Sequence, residues 1–402
     1  MKKKLSLKEY SLLLSLYISQ YIGLSFFAGA FIAILRKNEM PLEHLGIIYM
    51  LGLFWVFRFL WAPFIDGIEF KGLAHYKGWI IIFQFFMALI LFVISKFSIL
   101  NDLQTIIILS VFFAFFSSSQ TIALDGLVYK NVFKKERSRA MSIKIASGLI
   151  GMILGGGGGL ILYSHFGWEM TMVILASVMF IALIQVLFYK ESKTKKDQII
   201  QKLDYKQFIS FWKGSHKKQW LLLLFLYPVS ISLAYSLITP ILTDLGWSLD
   251  KIGYLVHMVG YSIGICASFA TSWFIQKYGE KKVLVGASIG QVLGLFMLLL
   301  LFKDNSTIIT IFIIGFIFTF YTPAGVTIST LMMNKSSKEK PATQFAIQHS
   351  IFSFAGILFG SLGVSFSGIF GYSNIIIAGA TIGLFTVYVA YNIKLQEDKV
   401  II

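Results

Sequence analysis

Residues 117–161 read SSSQTIALDGLVYKNVFKKERSRAMSIKIASGLIGMILGGGGGLI, and their order decides the fold. An apolar, serine-flecked run ends near Asp125, a basic turn follows, and a second apolar run opens with Lys144 in its first turn. Two membrane helices joined by a tight connection are expected, with Asp125 and Lys144 facing each other near one membrane surface. Seven glycines fall between Gly148 and Gly159, both ends counted. Glycine at that density lets backbones touch, as small residues do in membrane helices that lack a hydrophobic drive to associate. A closely packed pair able to move is the expectation.

Composition sets the class around this stretch. Of 402 residues, 57% are hydrophobic and 13% charged, with a mean hydropathy of +0.77, far more apolar surface than a soluble core could use. The chain reads as a polytopic membrane protein. The first apolar segment, residues 11–35, is too long for a cleavable signal, and its small-residue triplet Ala28-Gly29-Ala30 lies inside the run, so the amino terminus is expected to stay. The single cysteine, Cys266, can form no intramolecular disulfide.

A helix needs about 20 apolar residues to span the hydrocarbon. Twelve such runs occur, at 11–35, 45–63, 78–95, 104–125, 141–163, 170–189, 220–242, 252–275, 283–302, 307–332, 344–366 and 373–392. No ten-residue alternating pattern suggests a barrel, so an all-α bundle is expected. With both termini cytoplasmic, 28 of the 35 Lys and Arg fall in cytoplasmic segments, five outside, and only Arg58 and Lys144 inside spans. The positive-inside rule selects that topology. The net charge of +16 is therefore a topological signal, and its scatter over loops argues against a nucleic-acid partner.

Residues 190–219 carry nine lysines and divide the chain into two halves, 1–189 and 220–402, each with six runs. This linker is expected to hold an interfacial helix in LDYKQFISFW, with Leu203, Phe208, Ile209 and Trp212 on the membrane surface. The halves echo each other. KKERSRAMSIKIASGLIGMILG and the later Phe-Gly-Trp at 134–168 lie over KEKPATQFAIQHSIFSFAGILFG and Phe-Gly-Tyr at 338–372, with the basic turn, the glycines and the closing aromatic in matching places.

Parallel six-span repeats are the mark of a major-facilitator carrier, and three motifs sharpen the resemblance. FRFLWAPFID at 57–66, followed by Gly78-Trp79, resembles the signature of the AmpG-like branch of the major facilitator superfamily. SQTIALDG at 119–126 is similar to that branch's Gln-Asp-Ile-Ala-x-Asp segment, and residues 136–168 look closest to siderophore permeases of the rhizobactin and pyochelin type. The resemblance covers the first half by motif and the second mainly by architecture. It implies a bacterial cytoplasmic-membrane carrier that imports a siderophore, with or without iron, by alternating access and with proton coupling. Two departures bear on that coupling. Thr121 stands where much of the branch has an aspartate, and Gly67 where a basic residue usually follows the loop aspartate.

Two sets of polar residues are candidates for the site. Arg58, Asp66, Asp125 and Lys144 cluster toward the cytoplasmic side, and intramembrane charge is costly unless paired or functional. They are expected to latch an inner gate, the alternative being that Arg58 or Lys144 holds an anionic substrate. Nearer the midplane, Gln20, Tyr21, Gln120, Tyr227, Tyr235, Tyr321 and Thr322 lie on the helices that line the cavity in the resembled superfamily, and are the candidate substrate contacts. An aromatic, amide-rich lining suits a bulky hydroxylated or aromatic ligand. The bland reading of each tyrosine is helix packing or an interfacial position. His257 and His349, with Asp125, are candidates for a proton pathway, against the plainer role of an interhelical hydrogen bond.

An enzyme is not expected, because no nucleophile with its base, metal cluster or phosphate loop is present. GGGGG at 155–159 lacks a following Lys-Ser/Thr and an associated strand, so it reads as packing. No metal site and no cofactor are expected, and iron, if carried, arrives inside its chelator. The expected partners are the lipid bilayer and a small-molecule substrate, with the chain a monomer. A muropeptide or other solute permease of the same branch, an exporter with this fold, and a nontransporting receptor are the competing readings.

Overall fold

Ser6 starts the first helix. Its hydroxyl accepts from the Glu9 N–H (3.4 Å), and the Glu9 carboxylate accepts from the Ser6 N–H (2.8 Å), a reciprocal cap that satisfies two orphan donors. From there α1 runs Leu7–Leu35. The computed structural model describes residues 6–37, 48, 50–70, 73–99, 101–189, 205, 207–213 and 217–394.

The expected second span, 45–63, lies partly outside the described residues. Its described part is a series of short turns, Leu53–Phe57 and Arg58–Leu60, ending in α2 (Ala62–Gly67), which has proline in its first turn. Pro63 lacks an N–H and is accommodated in the first turn of a helix, where that N–H would be unpaired anyway, so the chain breaks and restarts there. Next come α3 (His75–Ile94) and α4 (Leu103–Asn131). Helix α5 (Arg137–Met152) passes through a wide π-type stretch, Ile153–Gly158, into α6 (Gly159–Phe188). The whole of Lys134–Phe188 is 55 residues long, too much for one crossing, and it breaks at Gly167, where φ is +72°.

The second half is α7 (Lys217–Asp244), α8 (Asp250–Tyr278), α9 (Glu280–Phe302), α10 (Thr307–Lys335), α11 (Pro341–Phe370) and α12 (Tyr372–Asn392). Ten helices among the described residues are long and apolar enough to cross a membrane. Dividing the one that breaks at Gly167 gives eleven among the described residues, and the expected span at 45–63, partly outside them, is not in that number. Gly371, between α11 and α12, also has a positive φ, +82°. The two Phe-Gly-aromatic motifs thus place a glycine in the same backbone region, one a side chain would strain, where each half turns into its last helix.

The chain forms two compact units, Met1–Tyr205 with Met332–Ser350, and Lys206–Leu331 with Ile351–Ile402. Residues 332–350, in the second half by sequence, pack within the first unit. The boundary expected at 190–219 lies mostly outside the described residues.

In the first unit an aromatic core joins α1 to α4 and α6. Phe27 meets Phe113 at 5.6 Å between ring centres, and Phe31 meets Trp168 at 5.6 Å. The glycine-rich stretch packs against α1. Tyr21 lies over Gly148 and Gly151, Gly155 abuts the Ile22 carbonyl, and Gly159 lies under the Phe26 ring, whereas Gly157 has open space beside it. Four of the seven glycines thus form a contact seam, and at Gly151 and Gly155 the approach of the α1 backbone leaves no room for a methyl group. In the second unit Gly363 and Gly379 both receive the Leu233 side chain, which binds α7 to α11 and α12.

Candidate functional site

Asp125 sits one and a half turns from the end of α4, on the face that looks at α5. Lys144 comes from the second turn of α5, and its Nζ donates to both carboxylate oxygens of Asp125, at 2.6 and 2.8 Å. Tyr17 of α1 donates its hydroxyl to Oδ1 at 3.3 Å. Arg58 places one guanidinium nitrogen 3.7 Å from Oδ2, close enough for ion pairing and too far for a hydrogen bond. Asp125, Lys144 and Arg58 are all buried, Arg58 completely. Phe345 covers both cations, its ring centre lying 4.8 Å from Lys144 Nζ and 5.8 Å from the Arg58 guanidinium carbon. Such contacts attract a cation to the ring face.

Asp66, the fourth expected member of this cluster, has other partners. It accepts from the Tyr76 hydroxyl (2.7 Å) and from the backbone N–H of Thr343 (2.7 Å), in the first turn of α11. A carboxylate at a helix start meets an orphan N–H and the positive end of the helix dipole. Asp66 therefore caps α11 from a distant point in sequence. Residues 332–336 are held nearby. Arg137 donates to the Met333 carbonyl (3.2 Å) and to Asn334 (3.0 Å) while lying over the Tyr129 ring at 4.0 Å, and Tyr129 donates to the Ser336 carbonyl at 2.9 Å.

One turn from the charges along α1 and α4 lies a buried amide ladder. Gln20 donates to the Thr121 hydroxyl, and Gln120 to the Gln84 side chain (2.7 Å). Gln84 in turn donates to Ser19 (3.2 Å) and to the Met179 carbonyl (2.9 Å). Gln20 and Gln120 are fully enclosed, and each leaves its side-chain carbonyl oxygen without a hydrogen-bond partner. Tyr21 is the ring lying over Gly148 and Gly151.

The second-half candidates separate by environment. Tyr227 is buried and donates to the Leu284 carbonyl (3.1 Å), which ties α7 to α9. Tyr235 is exposed, shares a hydrogen bond with the Tyr261 hydroxyl (2.8 Å) and stacks on Tyr321 at 6.2 Å. Thr322 is buried and donates to the Phe318 carbonyl at 3.4 Å, within its own helix. His257 lies in a π-type turn of α8 with its ring 5.1 Å from Tyr261. His349 sits a turn after Phe345, 5.9 Å ring to ring.

The structure thus brings together Arg58, Asp125 and Lys144, and separately Tyr235 and Tyr321. It sets Asp66, on α2, apart from them, at the start of α11. Sequence reasoning missed Tyr17, Gln84, Tyr261, Thr343 and Phe345. Gln84 carried a signal, as the one amide in an apolar span, whereas Phe345 and Thr343 carried none. No group of three or more His, Cys, Asp or Glu able to hold a metal occurs among the described residues.

The family model of the Major Facilitator Superfamily matches residues 10–361. The chain is similar to AmpG 3 of Rickettsia prowazekii (strain Madrid E), with 29% identity over 350 residues that cover 82% of each chain. It is also similar to the anhydromuropeptide permease of Escherichia coli (strain K12), with 24% identity over 301 residues covering 73% of this chain and 57% of the relative. The solved structure of the human organic anion transporter MFSD10 (TETRAN) superposes with a TM-score of 0.74 at 12% identity, covering 95% of this chain and 99% of that one. FucP superposes with a TM-score of 0.71 at 15% identity, covering 96% and 99%. At these identities the two structures show the shared fold alone. The AmpG-like branch expected from the motifs is the one these relatives represent, and no siderophore permease stands among the relatives named here. The chain belongs to the Major Facilitator Superfamily and is a multi-pass membrane transporter, not an enzyme.

Proposed function

We propose that this member of the Major Facilitator Superfamily imports an anhydromuropeptide-type solute across a bacterial cytoplasmic membrane. Both termini are cytoplasmic in this reading, transport is by alternating access, and a proton gradient drives it. The observation that carries the reading is the similarity to an anhydromuropeptide permease over 73% of the chain. The buried charges support it chemically. A muropeptide is a sugar–peptide with free carboxylates, and Arg58 and Lys144 together exceed the single carboxylate of Asp125 beside them. Energy comes from a gradient because the sequence holds no nucleotide-binding loop.

The siderophore, the reading the resemblance of residues 136–168 implies, is the comparison arm of the test, offered loaded with iron. Purified protein in liposomes, with an imposed inward proton gradient, is offered radiolabelled anhydromuropeptide or iron-loaded siderophore. Gradient-dependent accumulation of the muropeptide is expected. Accumulation of the siderophore alone would reverse the assignment, efflux in preference to uptake would show an exporter, and no flux of either would point to a receptor.

A further inference from the structure

We propose that Arg58 is a binding site for a carboxylate of the transported solute, covered by Phe345 in the conformation seen here. The argument begins with a charge balance. Lys144 and Tyr17 together direct three hydrogen bonds at Asp125, and Lys144 alone neutralises it. Arg58 is left as a second cation with no second anion. Asp125 is its sole carboxylate within ion-pair reach among the described residues, at 3.7 Å. All three of its side-chain nitrogens, Nε, Nη1 and Nη2, are buried without a hydrogen-bond partner. A guanidinium offers five N–H donors in a planar fork, and leaving all of them unmet in a dry place is among the most costly arrangements a side chain can adopt.

Lost stability of that kind is retained where it serves a ligand. One surplus positive charge calls for one negative charge, and the planar fork matches a carboxylate through two parallel hydrogen bonds. With a solute carboxylate on Arg58, the cluster becomes two cations and two anions. Phe345 occupies the place such an anion would approach. Its ring attracts both cations, but more weakly than a hydrogen-bonded carboxylate would. Phe345 lies two residues after Thr343, whose N–H Asp66 holds.

The inference rests on the proposed function only for the identity of the solute, and two measurements keep them apart. The first needs no ligand. If Arg58 is surplus, Arg58→Met in lipid nanodiscs should melt at or above the wild-type temperature, whereas Lys144→Met should melt lower. A fall in Arg58→Met equal to that in Lys144→Met makes Arg58 a structural partner and overturns the proposal. The second measures binding of N-acetylmuramic acid, its methyl ester and inorganic phosphate. Wild type should prefer the acid. Arg58→Gln should weaken the acid about tenfold to a hundredfold, the worth of a charge-assisted hydrogen bond, and leave the ester unchanged. Equal loss for acid and ester, no loss for either, or tighter Arg58-dependent binding of phosphate overturns the carboxylate assignment. If the acid and ester both fail to bind but N-acetyl-D-alanine raises the melting temperature only when Arg58 is present, the carboxylate site stands and the muropeptide reading falls. If no carboxylate acts through Arg58, the site falls whatever the carrier transports.

Discussion

Removing Asp125 should cost more than removing either cation beside it, because one carboxylate serves both. In Asp125→Asn, Lys144 and Arg58 remain buried, 3% and 0% exposed, with no carboxylate of the described residues within 4 Å. Breaking a buried pair on one side costs about 3–5 kcal/mol, most of it the penalty of an uncompensated charge. In Lys144→Met the carboxylate keeps the Tyr17 hydroxyl, and Arg58, at 3.7 Å, needs to move by less than about 1 Å to donate a hydrogen bond. That loss should be about 1–3 kcal/mol, the value of charge-assisted bonds partly replaced. In the double variant one cation is surplus, as in the wild type, so its loss should fall about 1–3 kcal/mol below the sum of the single losses. Equilibrium unfolding by sodium dodecyl sulfate in mixed micelles, followed by circular dichroism, measures all three. Lys144→Met proving as destabilising as Asp125→Asn, or strict additivity, would refute the shared-carboxylate account.

Three further outcomes are expected. Gly155→Ala pushes a methyl into the Ile22 carbonyl and should destabilise by about 1–3 kcal/mol, while Gly157→Ala, with open space beside it, should stay within about 0.5 kcal/mol in the same assay. Asp66→Ala removes the distant cap of α11 and should cost about 0.5–2 kcal/mol. In a Cys266→Ser background it should also speed thiol labelling of Ser350→Cys, now buried at 4% exposure, and unchanged labelling would show that Asp66 does not restrain this segment. A reporter active only outside the membrane should work when fused after Asp102 or Glu169 and fail at Lys196, and the reverse pattern would invert the topology.

Local features were legible in the chain because hydropathy and charge act over one helix length. A run of about 20 apolar residues must cross the bilayer whatever it touches, so α3, α4 and α7 to α12 fall close to the expected spans. The matching places of the two Phe-Gly-aromatic motifs were legible, but that Gly167 and Gly371 adopt a positive φ came from the structure. The opposition of Asp125 and Lys144 was legible too, because a short connection places the end of one helix beside the start of the next. Partners distant in sequence were decided by tertiary structure. Asp66 and Arg58 lie in one ten-residue motif, yet Asp66 reaches Thr343 and Arg58 reaches Asp125, because the breaks at Arg58 and Pro63 turn them toward different neighbours. Which glycines touch α1, which amide meets Gln120, and that Phe345 covers the cations all depend on helix rotation. An evenly apolar helix has no preferred face until its neighbours supply one.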